Sequence, residues 1–350
     1  MSRPIRVVIV DDSTLMRQIL TETLSTGEIE VVGSARDAYE ARQVIKATNP
    51  DVVTLDIEMP RMDGLAFLEK IMSLRPMPVI MVSSLTREGA DATIRALELG
   101  AVDYVAKPKS AEGYGIQDMR NELIAKIKVV AHARLGRRSV VAPPVLPAPK
   151  RKNSNRFIAI GASTGGVERI RDLLQVMPAE CPPIVITQHM GPNYLPSFAS
   201  RLDNLCQPSI QLATHGARLQ TGVVYIAPGD HHLAISRDAL GYVCQIQDAP
   251  PVSGHRPSVD VLFRSVAKAA GASAVGVILS GMGRDGAAGL LAMRQAGAHT
   301  VGEQESSCVV YGMPRAAKEV GAVVVEMSLG QIAAEMLRAV DAVGERLRPE

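Results

Sequence analysis

Three carboxylates, a serine and a lysine in the first third of this chain each fall at the end of a short aliphatic run. Asp11 and Asp12 follow Ile5–Val10, Asp56 ends Val52–Asp56, Ser83 ends Val79–Ser83, and Lys107 follows Tyr104–Ala106. If those runs are neighbouring parallel strands, their ends converge on one crevice. Three like charges there repel unless a hard cation such as Mg²⁺ neutralises them, and such ions prefer carboxylate oxygens. A carboxylate beside a cation and a lysine is placed to attack a phosphoryl group, because both positive charges offset the transferring oxygens. Each residue alone has a plainer explanation: Asp11-Asp12-Ser13 as a helix cap, Asp56 as a strand end, Lys107-Pro108 as a surface turn.

A second constellation begins at FIAIGASTGG, Phe157–Gly166. The turn is suited to an anion held by backbone N–H groups, and equally to a serine held out as a nucleophile. Its G-x-S-x-G pattern is weak evidence by itself, and a serine needs a base. Among seven histidines, His189 directly follows the aliphatic run ending at Gln188, which puts it at the same sheet edge as Ser163, although its plainer reading is a hydrogen-bonded turn histidine. His231 and His232 follow Pro-Gly-Asp and read as a turn, while His215, His255 and His299 have no strand-end setting. An acid is needed to hold the imidazole, and Asp285 lies in SGMGRDG after Val275–Leu279. Its plainer reading is the N-cap of the next helix. The chain order Ser–His–Asp differs from the Ser–Asp–His order of α/β-hydrolases, so this would be a triad on another fold.

The elements that must position these residues alternate throughout. In the first part, strands Ile5–Val10, Ile29–Gly33, Val52–Asp56, Val79–Ser83 and Tyr104–Ala106 alternate with helical segments Leu15–Leu24, Ala38–Ala47, Leu65–Leu74, Asp91–Leu99 and Met119–Ala133. This predicts a flavodoxin-like, five-stranded parallel sheet over residues 1–134. Residues 135–155 carry Pro143, Pro144, Pro147 and Pro149 among basic and polar residues, and read as a semi-stiff linker. Residues 156–350 predict a doubly wound α/β domain with strands Phe157–Ile160, Pro183–Thr187, Val223–Ala227, Val275–Leu279, Thr300–Gly302 and Val323–Val325. A hairpin, His232–Ile235 with Tyr242–Ile246, is inserted, and a last helix spans Gln331–Leu347.

Composition excludes several classes. The chain of 350 residues is 47% hydrophobic but only 3% aromatic, which suits aliphatic parallel sheets. A net charge of +2 gives no electrostatic case for nucleic acid or membrane binding. The four cysteines lack metal-ligand spacing, and no apolar stretch approaches the roughly 18–20 residues of a membrane span. A reduced, cytoplasmic protein without membrane insertion is expected.

VDDS, LDIEMPRMDG, MVSS and the KP after strand five resemble response-regulator receiver domains over roughly residues 4–130. That resemblance implies Asp56 as phosphoryl acceptor, with Asp11, Asp12, Asp56 and the backbone carbonyl of Glu58 holding Mg²⁺. It also implies Ser83 and Lys107 as phosphoryl-binding groups, Tyr104 as the switching aromatic, and a cis Lys107–Pro108 bond. IGASTGG, ITQHM, APGDHH, SVDVLF, LSGMGRDGA and YGMPRAA, in this order after a receiver, resemble the chemotaxis protein-glutamate methylesterases, the CheB family. The likeness spans essentially the whole chain. It implies Ser163 as nucleophile, His189 as general base and Asp285 as its orienting acid, with Thr164 and Met282 at the oxyanion site and no cofactor there.

The implied activity is phosphorylation-activated hydrolysis of glutamate methyl esters on methyl-accepting chemotaxis receptors, with deamidation of glutamines by the same acyl transfer. A chemotaxis histidine kinase would supply the phosphoryl group. The unphosphorylated receiver would pack over the catalytic crevice through an intramolecular interface. Two rival readings are weaker. A nucleotide-binding module lacks a P-loop lysine and an acidic ribose partner, and a DNA-binding regulator lacks a basic recognition helix.

Overall fold

The computed structural model describes residues 3–84, 86–108, 114–135, 145–148 and 155–342. The chain divides into two compact units, Met1–Leu135 and Gly136–Glu350. Most of the expected linker lies outside the described residues; within it, Leu146 N donates to Val176 O at 2.8 Å.

In the first unit, β1 (Ile5–Val10), β2 (Ile29–Ala35), β3 (Val52–Asp56), β4 (Val79–Ser83) and β5 (Asp103–Ala106) alternate with five helices. These are α1 (Thr14–Leu24), α2 (Ala38–Thr48), α3 (Gly64–Leu74), α4 (Arg87–Leu99) and α5 (Tyr114–Val130). The sheet is parallel with order β2-β1-β3-β4-β5. Strands β3 and β4 are buried along their whole length, as a sheet covered on both faces requires. Side-chain caps open four helices: Ser13 for α1, Asp37 for α2, Asp63 for α3 and Thr86 for α4. Each such cap contributes about 1 kcal/mol by satisfying orphan N–H groups. The order reverses between β1 and β3, so the ends bearing Asp11 and Asp56 flank the switch-point crevice. Among the described residues the cis peptide bond is Arg256–Pro257. The expected cis bond at Lys107–Pro108 is therefore corrected to the trans form, which X–Pro bonds favour by about 0.5–1 kcal/mol.

The second unit has a seven-stranded parallel sheet, order β14-β13-β12-β6-β7-β9-β8. Its strands are β6 (Phe157–Ala162), β7 (Ile184–Gln188), β8 (Ser209–Leu212), β9 (Val223–Ile226), β12 (Ala274–Ile278), β13 (His299–Glu303) and β14 (Val325–Met327). Helices α6 (Gly166–Gln175), α7 (Leu195–Leu205), α8 (Val259–Ala270), α9 (Ala287–Gln295), α10 (Met313–Glu319) and α11 (Leu329–Ala342) accompany them. The inserted hairpin forms as a separate antiparallel pair, β10 (His232–Asp238) with β11 (Gly241–Gln247). Strand β8 was not expected: SIQL is polar at alternate positions and sits at the sheet's edge, so it lacks the aliphatic run that marks the others. The last five residues of the predicted C-terminal helix, 343–347, lie outside the described residues.

Gly161 shows why a small residue interrupts β6. A Cβ there would lie 2.2 Å from Val259 Cγ1, and one at Gly286 would lie 2.5 Å from the same atom. The first residue of α8 is thus seated between two glycines, which brings that helix's N-terminus down to the C-terminal edge of the sheet.

Candidate functional site

In the first unit, Asp11, Asp12 and Asp56 each offer an oxygen within 4.8 Å of the others. Asp11 and Asp56 are buried and Asp12 is exposed. Lys107 Nζ lies 2.7 Å from Asp56 Oδ2 and 3.0 Å from Asp11 Oδ2. The Asp11 oxygen takes no directed hydrogen bond beyond this charge contact, so a buried carboxylate oxygen is left short of partners. A hard cation would supply what it lacks, and the donor set of carboxylate oxygens fits one. Burial pushes the Asp56 carboxyl up to about 6; Lys107 opposes the shift and Asp11 adds to it. For Lys107, burial works downward, but Asp56 and Asp11 outweigh it and hold the ammonium above its ordinary value.

The other expected residues surround this cluster differently. Ser83 Oγ is fully buried and shares a 2.8 Å hydrogen bond with Thr93 Oγ1 of α4. Glu58 N donates to Asp56 Oδ1 at 3.4 Å, which folds the loop after β3 back over the carboxylate. Tyr104 is buried, its carbonyl accepting from Lys126 Nζ at 2.6 Å.

In the second unit, Ser163, His189 and Asp285 lie at the ends of β6, β7 and β12, three adjacent strands. His189 Nδ1 is 3.1 Å from Ser163 Oγ, and His189 Nε2 is 2.8 Å from Asp285 Oδ2. A carboxylate only accepts, so Nε2 carries the proton and the Nδ1 lone pair faces the serine hydroxyl. Burial alone would raise the Asp285 carboxyl, but hydrogen bonds from His189, Ser258 and Val259 outweigh it and hold it below the usual range.

The seat of Asp285 is unexpected. It does not cap α9, whose N-cap is Gly286 in the left-handed region at φ 89°. Its carboxylate instead meets the N-terminus of α8, the helix seated by Gly161 and Gly286. Oδ1 accepts from Ser258 Oγ at 2.8 Å and Asp260 N at 3.1 Å, and Oδ2 accepts from Val259 N at 2.7 Å. With His189, four donors surround one carboxylate, and the helix dipole favours its negative charge. SVDVLF carried this contribution, but its donors are mainly backbone amides that no residue type announces.

The turn bearing Ser163 is braced from two sides. Ser163 N donates to Ser280 O at 3.1 Å, and Ser280 Oγ donates to Thr164 O at 2.9 Å. Ser280 N in turn donates to Oε2 of the fully buried Glu303 at 2.9 Å. Gln188 Nε2 reaches both Ser163 O, at 3.0 Å, and His189 O, at 3.2 Å. Since the Ser163 amide is engaged, an oxyanion would need other donors. A Cβ on Gly281 would lie 2.9 Å from Ser163 Cβ, so the backbone leading into Met282 runs beside the serine. Among the described residues the Met282 amide takes no backbone partner. The N-cap of α6 is Gly165, in the left-handed region at φ 75°, which supplies no side-chain cap.

Two histidines set aside on sequence grounds belong to these surroundings. His255 stacks on His189 from the loop before α8, and His232 is the fully buried first residue of β10, where the expected hairpin strand begins. Burial pushes the Cys181, Cys206 and Cys244 thiols up to about 12, so none competes as a thiolate nucleophile.

Residues 158–336 match the family described as CheB methylesterase, and residues 7–113 match the response regulator receiver domain. The chain is 53% identical over 346 residues to a protein-glutamate methylesterase/protein-glutamine glutaminase of Salmonella typhimurium, covering 98% of this chain and 99% of that one. This chain belongs to the CheB methylesterase family. A protein of the same name from Rhizobium etli is 55% identical over 345 residues, covering 97% of each chain. The crystal structure of the Thermotoga maritima CheB methylesterase catalytic domain matches with a TM-score of 0.52 and 31% identity, over 53% of this chain and 99% of that one. As in the family, a receiver precedes an ester-hydrolase domain. The Ser163, His189 and Asp285 cluster falls inside the methylesterase match, and the Asp11, Asp12, Asp56 and Lys107 cluster inside the receiver match. No helix among the described residues is long and apolar enough to cross a membrane.

Proposed function

We propose that this CheB-family enzyme removes methyl groups from glutamate methyl esters on methyl-accepting chemotaxis receptors, under control of a phosphoryl group on Asp56. The observation that carries the reading is His189 set between Ser163 Oγ, at 3.1 Å, and Asp285 Oδ2, at 2.8 Å. Ser163 attacks the γ-carbonyl carbon while His189 Nδ1 takes its proton. Asp285 keeps Nε2 protonated and stabilises the imidazolium that forms. The Met282 amide, the Thr164 turn and the N-terminus of α6 surround the developing oxyanion. Collapse of the tetrahedral intermediate breaks the bond to methoxide, which leaves as methanol with the proton from His189. Water then repeats the sequence on the acyl-serine and frees the glutamate carboxylate. A glutamine side chain follows the same route with ammonia leaving, and no cofactor enters the esterase site.

In the receiver, Asp56 is the acceptor of a phosphoryl group from a chemotaxis histidine kinase. Asp11, Asp12, Asp56 and the Glu58 carbonyl would hold Mg²⁺, which when bound offsets charge on the phosphoryl oxygens. Lys107 and Ser83 bind those oxygens, and Tyr104 follows the change. Phosphorylation shifts the population toward an uninhibited esterase. The enzyme acts in the cytoplasm, where receptor signalling domains and kinase meet it.

The test is incubation of the full chain with methyl-labelled receptor membranes, with and without a small phosphodonor. Labelled methanol should appear, faster with the donor. Its absence from the wild-type reaction would overturn the substrate reading, and an unstimulated rate would overturn the control.

A further inference from the structure

The hairpin β10–β11 stands outside the seven-stranded sheet, and its first residue carries a fully buried imidazole. Both nitrogens of His232 are engaged: Nε2 lies 3.0 Å from Pro250 O, and Nδ1 lies 3.1 Å from Ser258 N. A carbonyl only accepts and an amide only donates, so the tautomer is dictated. Nε2 carries the proton, and the Nδ1 lone pair receives the Ser258 N–H. Ser258 is itself fully buried and passes its hydroxyl to Asp285 Oδ1 at 2.8 Å. The next two amides, Val259 and Asp260, complete the seat of that carboxylate. The same hairpin also meets α8 further along, where Ile235 N donates to Ser265 Oγ at 2.8 Å.

We propose that His232 is a positioning residue for the esterase: by holding the Ser258 amide it fixes the N-terminus of α8 on Asp285, and through Asp285 the tilt of His189. The inserted hairpin is therefore part of the catalytic apparatus. The proposal rests on reading Ser163, His189 and Asp285 as a hydrolytic triad, and it assigns one atom, Nδ1, the decisive part. A second-shell hydrogen bond of this kind orients a reacting group without touching substrate.

Amide side chains separate the two nitrogens. His232→Asn keeps an acceptor near the position of Nδ1, whereas His232→Gln keeps a donor toward Pro250 and leaves the Ser258 amide unpaired. In the full chain, each variant and Ser258→Ala is assayed two ways, per folded molecule as judged by circular dichroism. The readouts are the rate at which a fluorophosphonate labels Ser163, and kcat and KM for methanol release from methylated receptor. His232→Asn should stay within about threefold of wild type, while His232→Gln and His232→Ala should lose about 10- to 100-fold in labelling rate and kcat at unchanged KM. Adding His232→Gln to Ser258→Ala should cost less than it does alone, because the two act along one path. Equal rates for His232→Asn and His232→Gln, or fully additive losses, would overturn the assignment. If wild type is labelled on Ser163 yet releases no methanol, the substrate reading fails while the labelling series still decides the role of His232. If wild-type Ser163 is not labelled, both fail.

Discussion

The imidazole of His255 lies flat against that of His189, with ring centroids 3.7 Å apart and planes 13° from parallel. Under the proposed mechanism, in which His189 is the base, a flat neighbour limits its rotation and presents a π-face to the imidazolium, worth about 0.5–2 kcal/mol for such contacts. His255→Phe, which keeps the face, should retain most of kcat for methanol release. His255→Ala should lower kcat about two- to thirtyfold, matching that energy range. A His255→Phe enzyme as slow as His255→Ala would show that the stack does not orient the base.

Replacing Asp285 by Asn tests the four-donor seat. The amide must turn one NH₂ toward donors that need an acceptor, either Ser258 Oγ and Asp260 N or Val259 N and His189. The loss in kcat should reach about 10³- to 10⁴-fold, as expected when the imidazole is held in the wrong tautomer. Thermal melting should also fall, because a buried N–H of α8 loses its partner at about 1–3 kcal/mol. A variant with unchanged melting and kcat would contradict the seat.

Gly281 is placed where no side chain fits, since a Cβ would lie 2.3 Å from Met313 Sδ and 2.9 Å from Ser163 Cβ. Gly281→Ala should therefore displace the serine and cut its labelling by a fluorophosphonate at least tenfold, given the sensitivity of catalysis to about 1 Å of misplacement. Full-rate labelling would mean that Met313 alone absorbs the methyl.

The Asp56 carboxyl sits at about 6 when folded, against an ordinary 3.8. Between pH 4 and 6 the folded receiver binds more protons at this site than the unfolded chain, so its stability falls as pH rises through that window. The upper bound is about 3 kcal/mol from a shift of roughly two units. Asp56→Asn removes the titration. Native-state hydrogen exchange of β1 and β3 amides should thus show the variant gaining on wild type from pH 4 to pH 7, and a constant difference would refute the titration. Mg²⁺ should reverse the trend for wild type alone, with affinity weakening as pH drops through 6 in titration calorimetry.

Much of this architecture is legible in the residues. The aliphatic runs, which a parallel sheet buried on both faces demands, marked every strand of the first unit within a few residues. The same logic placed Ser163, His189 and Asp285 at one edge, and the structure brings their side chains together. What stayed hidden depends on backbone groups and on distant packing. The donors from Val259 and Asp260 are main-chain amides, which every residue but proline carries. His255 reaches His189 across 66 positions of chain with no periodic signal to announce it. Asp285 did look like a helix cap, and it is one, but for α8 instead of the helix that follows it.

The interior place of β12, between β13 and β6, matters for a chain made from its N-terminus. Strands β6 and β7 are adjacent and are made before Asp285, which arrives 96 residues after His189. Its seat on α8, and the hairpin that steadies α8, emerge from the ribosome in the interval. A growing or prematurely ended chain thus holds Ser163 and His189 without Asp285, and under the proposed triad synthesis itself withholds the esterase until β12 and the loop after it are in place.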